Sequence, residues 1–365
     1  MGPLAGLKII EVVGLGAAPY CGMMLADMGA EVVRVDRYSA PSDAAKTKDP
    51  LARGRRSMAL NLKSEAGVET LLQLLEKADG LFEGFRPGVA ERLGFGPDIC
   101  LQRNKKLVFG RLTGWGQEGP LAGAVGHDIN YIALTGALHS IGTPGNKPVP
   151  PLNLAGDFGG GGLLLAFGMV CALFEAQQSG KGQVVDAAMI DGAASFMAMF
   201  FHFQAHGTFS DAPGTHMLGG AAPFYSTYET ADGKYISIGS IEPQFYRKLF
   251  ELTGIDPAPF TGAAYQGVEQ VMDTTLWPEL EKVLAAVFRK RTRDEWCEIM
   301  EGSDVCFAPV LGLSEVHLHP HHVARDTFIE INGQIQAGAD TEAILTDWGF
   351  SEEQILILRN EGGLA

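Results

Sequence analysis

Two glycine-flanked polar points have the residue types that proton chemistry needs. In Gly126-His127-Asp128-Ile129-Asn130-Tyr131 a histidine opens an apolar helical pattern that continues through IALTGAL. In Gly156-Asp157-Phe158-Gly159-Gly160-Gly161-Gly162 an aspartate precedes glycines and then LLLAFGMVCALF. Aspartate is a common N-cap, so Asp128 and Asp157 each read first as caps. Taken together the two points allow more. The free N–H groups and positive dipole end of a helix start keep a carboxylate ionised and a histidine neutral near pH 7, the states a base requires. The same N–H groups could stabilise an oxyanion formed from a thioester carbonyl. Glycines there would let a ligand approach the backbone closely. One base on each face of a carbon removes and returns a proton, which inverts that carbon.

Other motifs fall short of their chemistry. Gly14-Leu15-Gly16 follows a strand, and Asp36 ends the next strand where a dinucleotide site would hold ribose. Pro19 replaces the third glycine and Glu11 sits inside the strand, which argues against NAD. Asp157-Phe158-Gly159 spells a kinase magnesium motif, but neither HRD nor VAIK accompanies it. GxSxG and HExxH are absent. The run His317-Leu318-His319-Pro320-His321-His322 lacks a carboxylate or cysteine at a supporting spacing, and Pro320 interrupts any helical face. It reads as solvated or structural, and no metal is expected. Arg34, Arg37, Arg53, Arg55, Arg56, Lys63, Arg86 and Arg92 cluster in the first third. Many such arginines are only solvated, yet a ligand with several phosphates needs a few at loop ends. The run Met189 to Phe203 is rich in Met and Phe, and reads as core or as an adaptable apolar surface for acyl chains.

The elements that must carry these residues alternate. LKIIEVV at 7–13, a helical pattern from Pro19 to Met28 and EVVRVD at 31–36 form a β-α-β unit. Helical periodicity recurs at 65–77, 129–139 and 160–178, with short strands at 80–83, 107–112 and 183–187. This predicts an α/β fold with a mainly parallel sheet and helices on both faces. Residues 201–224, rich in Gly, Pro, Ser and Thr, read as a linker. A smaller α+β domain is expected at 225–312, with a hairpin turning at Asp232-Gly233 and helices at 243–253 and 276–290. The large domain is expected at 1–200, with a return of the chain from 320 to 365.

With 365 residues and 46% hydrophobic side chains, a substantial core can be buried. A formal charge of −15 excludes a nucleic-acid surface, so an anionic ligand needs a local basic cluster. The five cysteines are odd in number and widely spaced, as expected of thiols in a reducing compartment. No signal peptide or peroxisomal address is read at the ends, and the longest apolar stretch, Leu163 to Phe174, is shorter than the roughly 20 residues of a bilayer span. A cytoplasmic protein with no membrane partner is expected.

The chain resembles the α-methylacyl-CoA racemases of the family III CoA-transferase (CaiB/BaiF) superfamily. The resemblance rests on RVDR at 34–37, TGWGQEGP at 113–120, GHDINY at 126–131, PPLNLAGDFGGGG at 150–162, SGKGQVVDAAM at 179–189, APFYSTYETADGKY at 222–235 and IEPQFY at 241–246. It runs to about residue 325. It implies His127 and Asp157 as the two catalytic acid–bases, with Glu242 as the carboxylate that supports His127. Coenzyme A contacts are implied at Arg37, at Leu60, Asn61, Leu62 and Lys63, at Gly84, Phe85 and Arg86, at Arg92, and at Gly126, Asp128, Ile129, Asn130 and Tyr131. The implied fold is a Rossmann-like large domain with a smaller one, in an interlocked homodimer whose sites lie between domains. No cofactor is implied beyond the coenzyme A of the thioester. Where such racemases carry an acidic residue, this chain has Gly219. A CoA-transferase is the nearest alternative, with Asp157 as nucleophile in an acyl-aspartyl anhydride. A module that binds acyl-CoA without chemistry and an NAD-dependent dehydrogenase are the more distant ones.

Overall fold

β-branched runs buried on both faces build the first sheet. The computed structural model describes residues 2–14, 16–37, 49–207, 209–265, 272–328 and 336–364. Leu15 of the glycine turn and residues 329–335 of the expected return lie outside it. Strands β1 (Lys8–Val12), β2 (Glu31–Arg37), β3 (Arg55–Leu60), β4 (Gly80–Glu83), β5 (Val108–Thr113) and β6 (Val184–Ala188) pair in parallel in the order β3-β2-β1-β4-β5-β6. This is the Rossmann strand order. The pleat sends alternate residues to opposite faces. Ile10, Val12, Val33 and Val35 enter one core, which is filled from helix Glu65–Leu75 and from Ile344, Leu345 and Trp348. Ile9, Val32 and Val108 enter the other, with Leu25 of helix Ala17–Asp27 and Leu165 and Met169 of helix Leu164–Ser179.

Two compact units emerge from the backbone: Met1–Leu138, Pro150–Met199 and Ile331–Ala365 in one, His139–Val149 and Phe200–Glu330 in the other. The end of the chain stays in the first unit because its groups are held there. Asp340 and Thr341 accept the N–H groups of Ser57 and Ala59, and Leu364 bridges to Leu60. In the second unit β7 (Tyr225–Glu229), β8 (Tyr235–Gly239) and β9 (Phe307–Val310) form an antiparallel sheet. Its hairpin turns where expected, with Gly233 at φ +72°. Residues 201–224 are more than a connection. They begin inside helix Ala198–Ala205, and Ala222 and Phe224 end them fully buried in the second core. The small polar residues that suggest a linker are interspersed with aromatics that find partners, such as Phe209 against His216 at 4.9 Å.

The helix Leu154–Ser179 is continuous for 26 residues and predominantly apolar, longer than the stretch the composition marks out. Its length would cross a bilayer, but 44% of its apolar window is buried against the rest of the chain.

Candidate active site

The strand order reverses between β1 and β4, and in an open α/β sheet the crevice at such a point, beyond the carboxyl ends of the strands, is where ligands bind. The loops after β1 and β4 touch there: a Cβ on Gly14 would lie 3.8 Å from the Cα of Gly84. Beside them lies the turn carrying Asp157. A Cβ on Gly16, at φ +67°, would meet its Oδ2 at 3.3 Å.

His127 arrives from β5 through a braced loop. The Tyr131 ring packs edge-on to Trp115 at 4.9 Å, its hydroxyl donates to the carbonyl of Gly126, and both Gly114 and Gly126 lie against it. His127 caps helix Asp128–Ala133, with its own N–H donated to Asn130 Oδ1 at 3.1 Å. Its imidazole is exposed. The next residue, Asp128, points inward and is 5% exposed. Its Oδ2 accepts the backbone N–H of Gly156 at 2.6 Å and of Asp157 at 2.7 Å. A single buried carboxylate therefore bolts the histidine turn to the aspartate turn.

Asp157 lies in the first turn of Leu154–Leu163, where the helix is wound wide in the π manner. Such winding often marks functional positions. The half-buried carboxylate accepts from Asn153 Nδ2 at 3.2 Å. Burial raises its pKa above the ordinary value; the Asn153 hydrogen bond opposes the rise, the Asp128 charge adds to it, and His127 opposes it. The direction of this shift runs against the pull toward ionisation expected of a helix start. The free N–H groups of that turn are spent on Asp128, so the anion they hold is not the one facing the crevice.

The glycines after Asp157 are also used differently from expectation. A Cβ on Gly160 would lie 2.7 Å from the nitrogen of Ala193, on Gly161 2.8 Å from Met189 Cγ, and on Gly162 2.5 Å from the carbonyl of Ala17. These three seat the helix between Ala17–Asp27 and Met189–Phe196, and leave no backbone open to a ligand.

The eight basic residues divide cleanly. Arg34 pairs with Asp36, Arg53 with Asp27, Arg55 with Glu11, and Arg56 with Glu31 and Asp347. Among the described residues Arg37, Lys63, Arg86 and Arg92 form no ion pair, and they stand at or after the carboxyl ends of β2, β3 and β4. Lys63 and Arg92 line one cavity of about 650 Å³ together with Leu62, Ser64 and Leu93. The first four hold the fold; the second four are free for an anion. Asp36 cannot serve a ribose, because Arg34 and Ser57 occupy its buried carboxylate. That removes the dinucleotide reading.

The remaining expected contacts differ in their exposure. Leu60 lies in the core and Asn61 is tied by its amide to the carbonyl of Gly362 at 3.1 Å. Gly84 and Arg86 are exposed, and Phe85 is half-buried against Phe95. Ile129 and Asn130 are exposed, whereas Asp128 and Tyr131 turn inward and Gly126 is half-buried. Glu242, in the second unit, caps helix Pro243–Thr253 with an exposed side chain. Gly219 ends a short turn, where a Cβ would make ordinary contacts with the backbone of Gly214 at 3.6 Å and of Ser140 at 3.8 Å. Sequence reasoning missed Asn153, whose position four residues before Asp157 is a readable helical signal, and Trp115. Among the described residues no group of three His, Cys, Asp or Glu is arranged to hold a metal, and His319 is engaged with Glu301 at 2.8 Å.

The sheet has the Rossmann order, with the Asp157 carboxylate beside its switch point and, among the described residues, four cations without ion pairs along the same edge. The chain belongs to CoA-transferase family III, whose sequence profile matches residues 4–360. It is 42% identical to the alpha-methylacyl-CoA racemase of Mus musculus, over 98% of this chain and 96% of that protein. The alpha-methylacyl-CoA racemase of Homo sapiens is 40% identical over the same shares. The crystal structure of Rv3272 from Mycobacterium tuberculosis superposes with a TM-score of 0.76 at 25% identity, over 94% of this chain and 99% of that one.

Proposed function

We propose that this protein is an α-methylacyl-CoA racemase, interconverting (2R)- and (2S)-2-methylacyl-CoA thioesters through an enolate. The observation that carries the reading is the Asp128 carboxylate, which bonds to the backbone of the Asp157 turn while belonging to the His127 turn. Two proton-transfer groups held by one bolt suit removal of a proton from one face of a carbon and its return to the other. Burial shifts Asp157 toward its protonated form, the direction that suits a group that must return a proton as well as remove one. His127, with its imidazole exposed, is the opposite member. Glu242 is included in the catalytic set by family resemblance alone.

Arg37, Lys63, Arg86 and Arg92 take the phosphates of coenzyme A, which enters as part of the substrate; no metal or redox group has a role in this reaction. The exposed Phe196, whose ring backs onto Gly159 two residues from Asp157, and Met199 offer the acyl chain an apolar surface. The protein acts as an interlocked homodimer: helix Leu164–Ser179 leaves Phe167 66% and Phe174 64% exposed, with Leu163 and Val170 on the same stripe. Five unpaired cysteines fit a reducing compartment, the cytoplasm.

The test is NMR of the α-proton of a (2S)-2-methylacyl-CoA in deuterated buffer with no second acid present. Wild-type protein is expected to exchange that proton as the 2R epimer grows. His127→Ala and Asp157→Asn should each slow epimerisation by roughly 10²–10⁴-fold, the usual scale of a lost general acid or base. Absence of exchange, with CoA transfer appearing once a free carboxylic acid is added, would recast Asp157 as a nucleophile and overturn the reading.

A further inference from the structure

Among the charged groups that proton transfer leaves unused, one chain is buried beneath the basic edge. Glu83, the last residue of β4, is fully buried. Its Oε2 accepts the N–H of Phe85, so the side chain folds back across the start of its own loop. Its Oε1 takes Arg111 Nε from β5 at 3.3 Å. The fork of the same guanidinium reaches beyond the loop to Glu91, Nη1 to Oε1 at 2.8 Å and Nη2 to Oε2 at 3.2 Å. Glu91 stands on the turn Val89–Arg92, into which the loop runs. Both ends of the segment between β4 and that turn are thus tied to one arginine of the neighbouring strand.

What the tie holds is a pair of free cations. Arg86 is exposed on the loop, and its carbonyl accepts the N–H of Val89 at 3.1 Å. Arg92 lies one residue beyond Glu91 and folds back over Gly88, with Nη1 3.1 Å from where a Cβ would be. A bare loop with two unpaired arginines would lose much of its binding energy in ordering them. A bidentate tie to Glu91, anchored on the buried Glu83, supplies that order in advance.

We propose that the Glu83–Arg111–Glu91 chain positions Arg86 and Arg92 for the phosphates of the coenzyme and takes no part in proton transfer. This rests on the racemase reading for the identity of the ligand, but it is testable by binding alone. The decisive variant is Glu91→Gln, at an exposed position where folding is not at stake. Charge by itself predicts tighter binding, because an anion beside Arg92 is removed. Positioning predicts the opposite sign. Titration calorimetry with free coenzyme A is expected to show binding at least 5-fold weaker in Glu91→Gln, and weaker again in Glu83→Gln. With a 2-methylacyl-CoA substrate KM should rise and kcat stay within about 2-fold of wild type. With the corresponding pantetheine thioester, which lacks the nucleotide phosphates, the variants should match wild type. Unchanged or tighter coenzyme binding in Glu91→Gln would overturn the proposal, as would equal losses on both thioesters. A wild-type protein that binds coenzyme A yet exchanges no α-proton would sink the racemase reading and leave the positioning result to stand on its binding data.

Discussion

Asp128 follows His127, the residue proposed to move a proton, and yet its own carboxylate is turned inward. Its Oδ2 holds two backbone N–H groups, while its Oδ1 is buried without a partner among the described residues. Its charge also raises the pKa of Asp157. Asp128→Asn keeps an acceptor for the two N–H groups and removes that charge. The Asp157 carboxyl should then ionise at lower pH, because one cause of its raised pKa is gone. The acid limb of kcat/KM is expected to move toward lower pH, measurable by α-proton exchange rates across pH 4–8. An acid limb that stays in place would mean that Asp157 does not set it. At this scale the sequence was legible in type and not in direction. The motif GHDINY marks the turn, but nothing in its spelling distinguishes the outward His127 from the inward Asp128. That distinction comes from the packing of Tyr131 and from the donors at Gly156 and Asp157, far along the chain.

Among the elements, close packing decides more than composition does. Gly192 in helix Met189–Phe196 faces Gly160 so closely that a Cβ would sit 2.0 Å from its carbonyl oxygen. Gly192→Ala must push the two backbones apart. The expected cost exceeds the roughly 1–3 kcal/mol of ordinary overpacking, seen as a clear fall in Tm by calorimetry. Gly123→Ala, with open space around it and no left-handed backbone, should leave Tm within about a degree. Equal melting of the two variants would contradict this account of the glycine run. Most of the sheet could be read from β-branched runs, since the strands at 7–13, 31–36, 80–83, 107–112 and 183–187 all form within a residue or two. β3 could not. RRSMAL carries two arginines, and only the burial of Arg55 against Glu11, a residue 44 positions earlier, makes it a strand interior. β9 hides likewise behind the Pro309 in its middle.

For the molecule as a whole, a net charge of −15 conceals how the basic residues of its first third divide. Of the eight named there, four pair with carboxylates and four form no ion pair among the described residues, a division that no count of charges reveals. The same arithmetic makes stability pH-dependent. Burial raises the pKa of Glu83 to about 7 from an ordinary 4.5, opposed by the Phe85 N–H and by Arg111, with Glu91 adding to the rise. The stability linked to its neutral form is fully present below 4.5 and is lost as pH rises through about 7, because above that value an anion is buried. Glu83→Gln cannot ionise. In urea unfolding the wild type should therefore lose ground to the variant between pH 5 and pH 8.5, by on the order of 2–3 kcal/mol at about 1.4 kcal/mol per pH unit. Parallel stability curves would show that Glu83 titrates normally.

The bolt at Asp128 grips peptide nitrogens, and so it is indifferent to the side chain that position 157 carries. Mutation can exchange that side chain without first rebuilding its seat. One ancestral turn could have passed from acyl transfer to proton transfer, or between substrates, through steps each of which still folds. The same property makes position 157 a socket for protein engineers, where cysteine, glutamate or a non-natural nucleophile would be presented at the head of the sheet by a scaffold that does not depend on it.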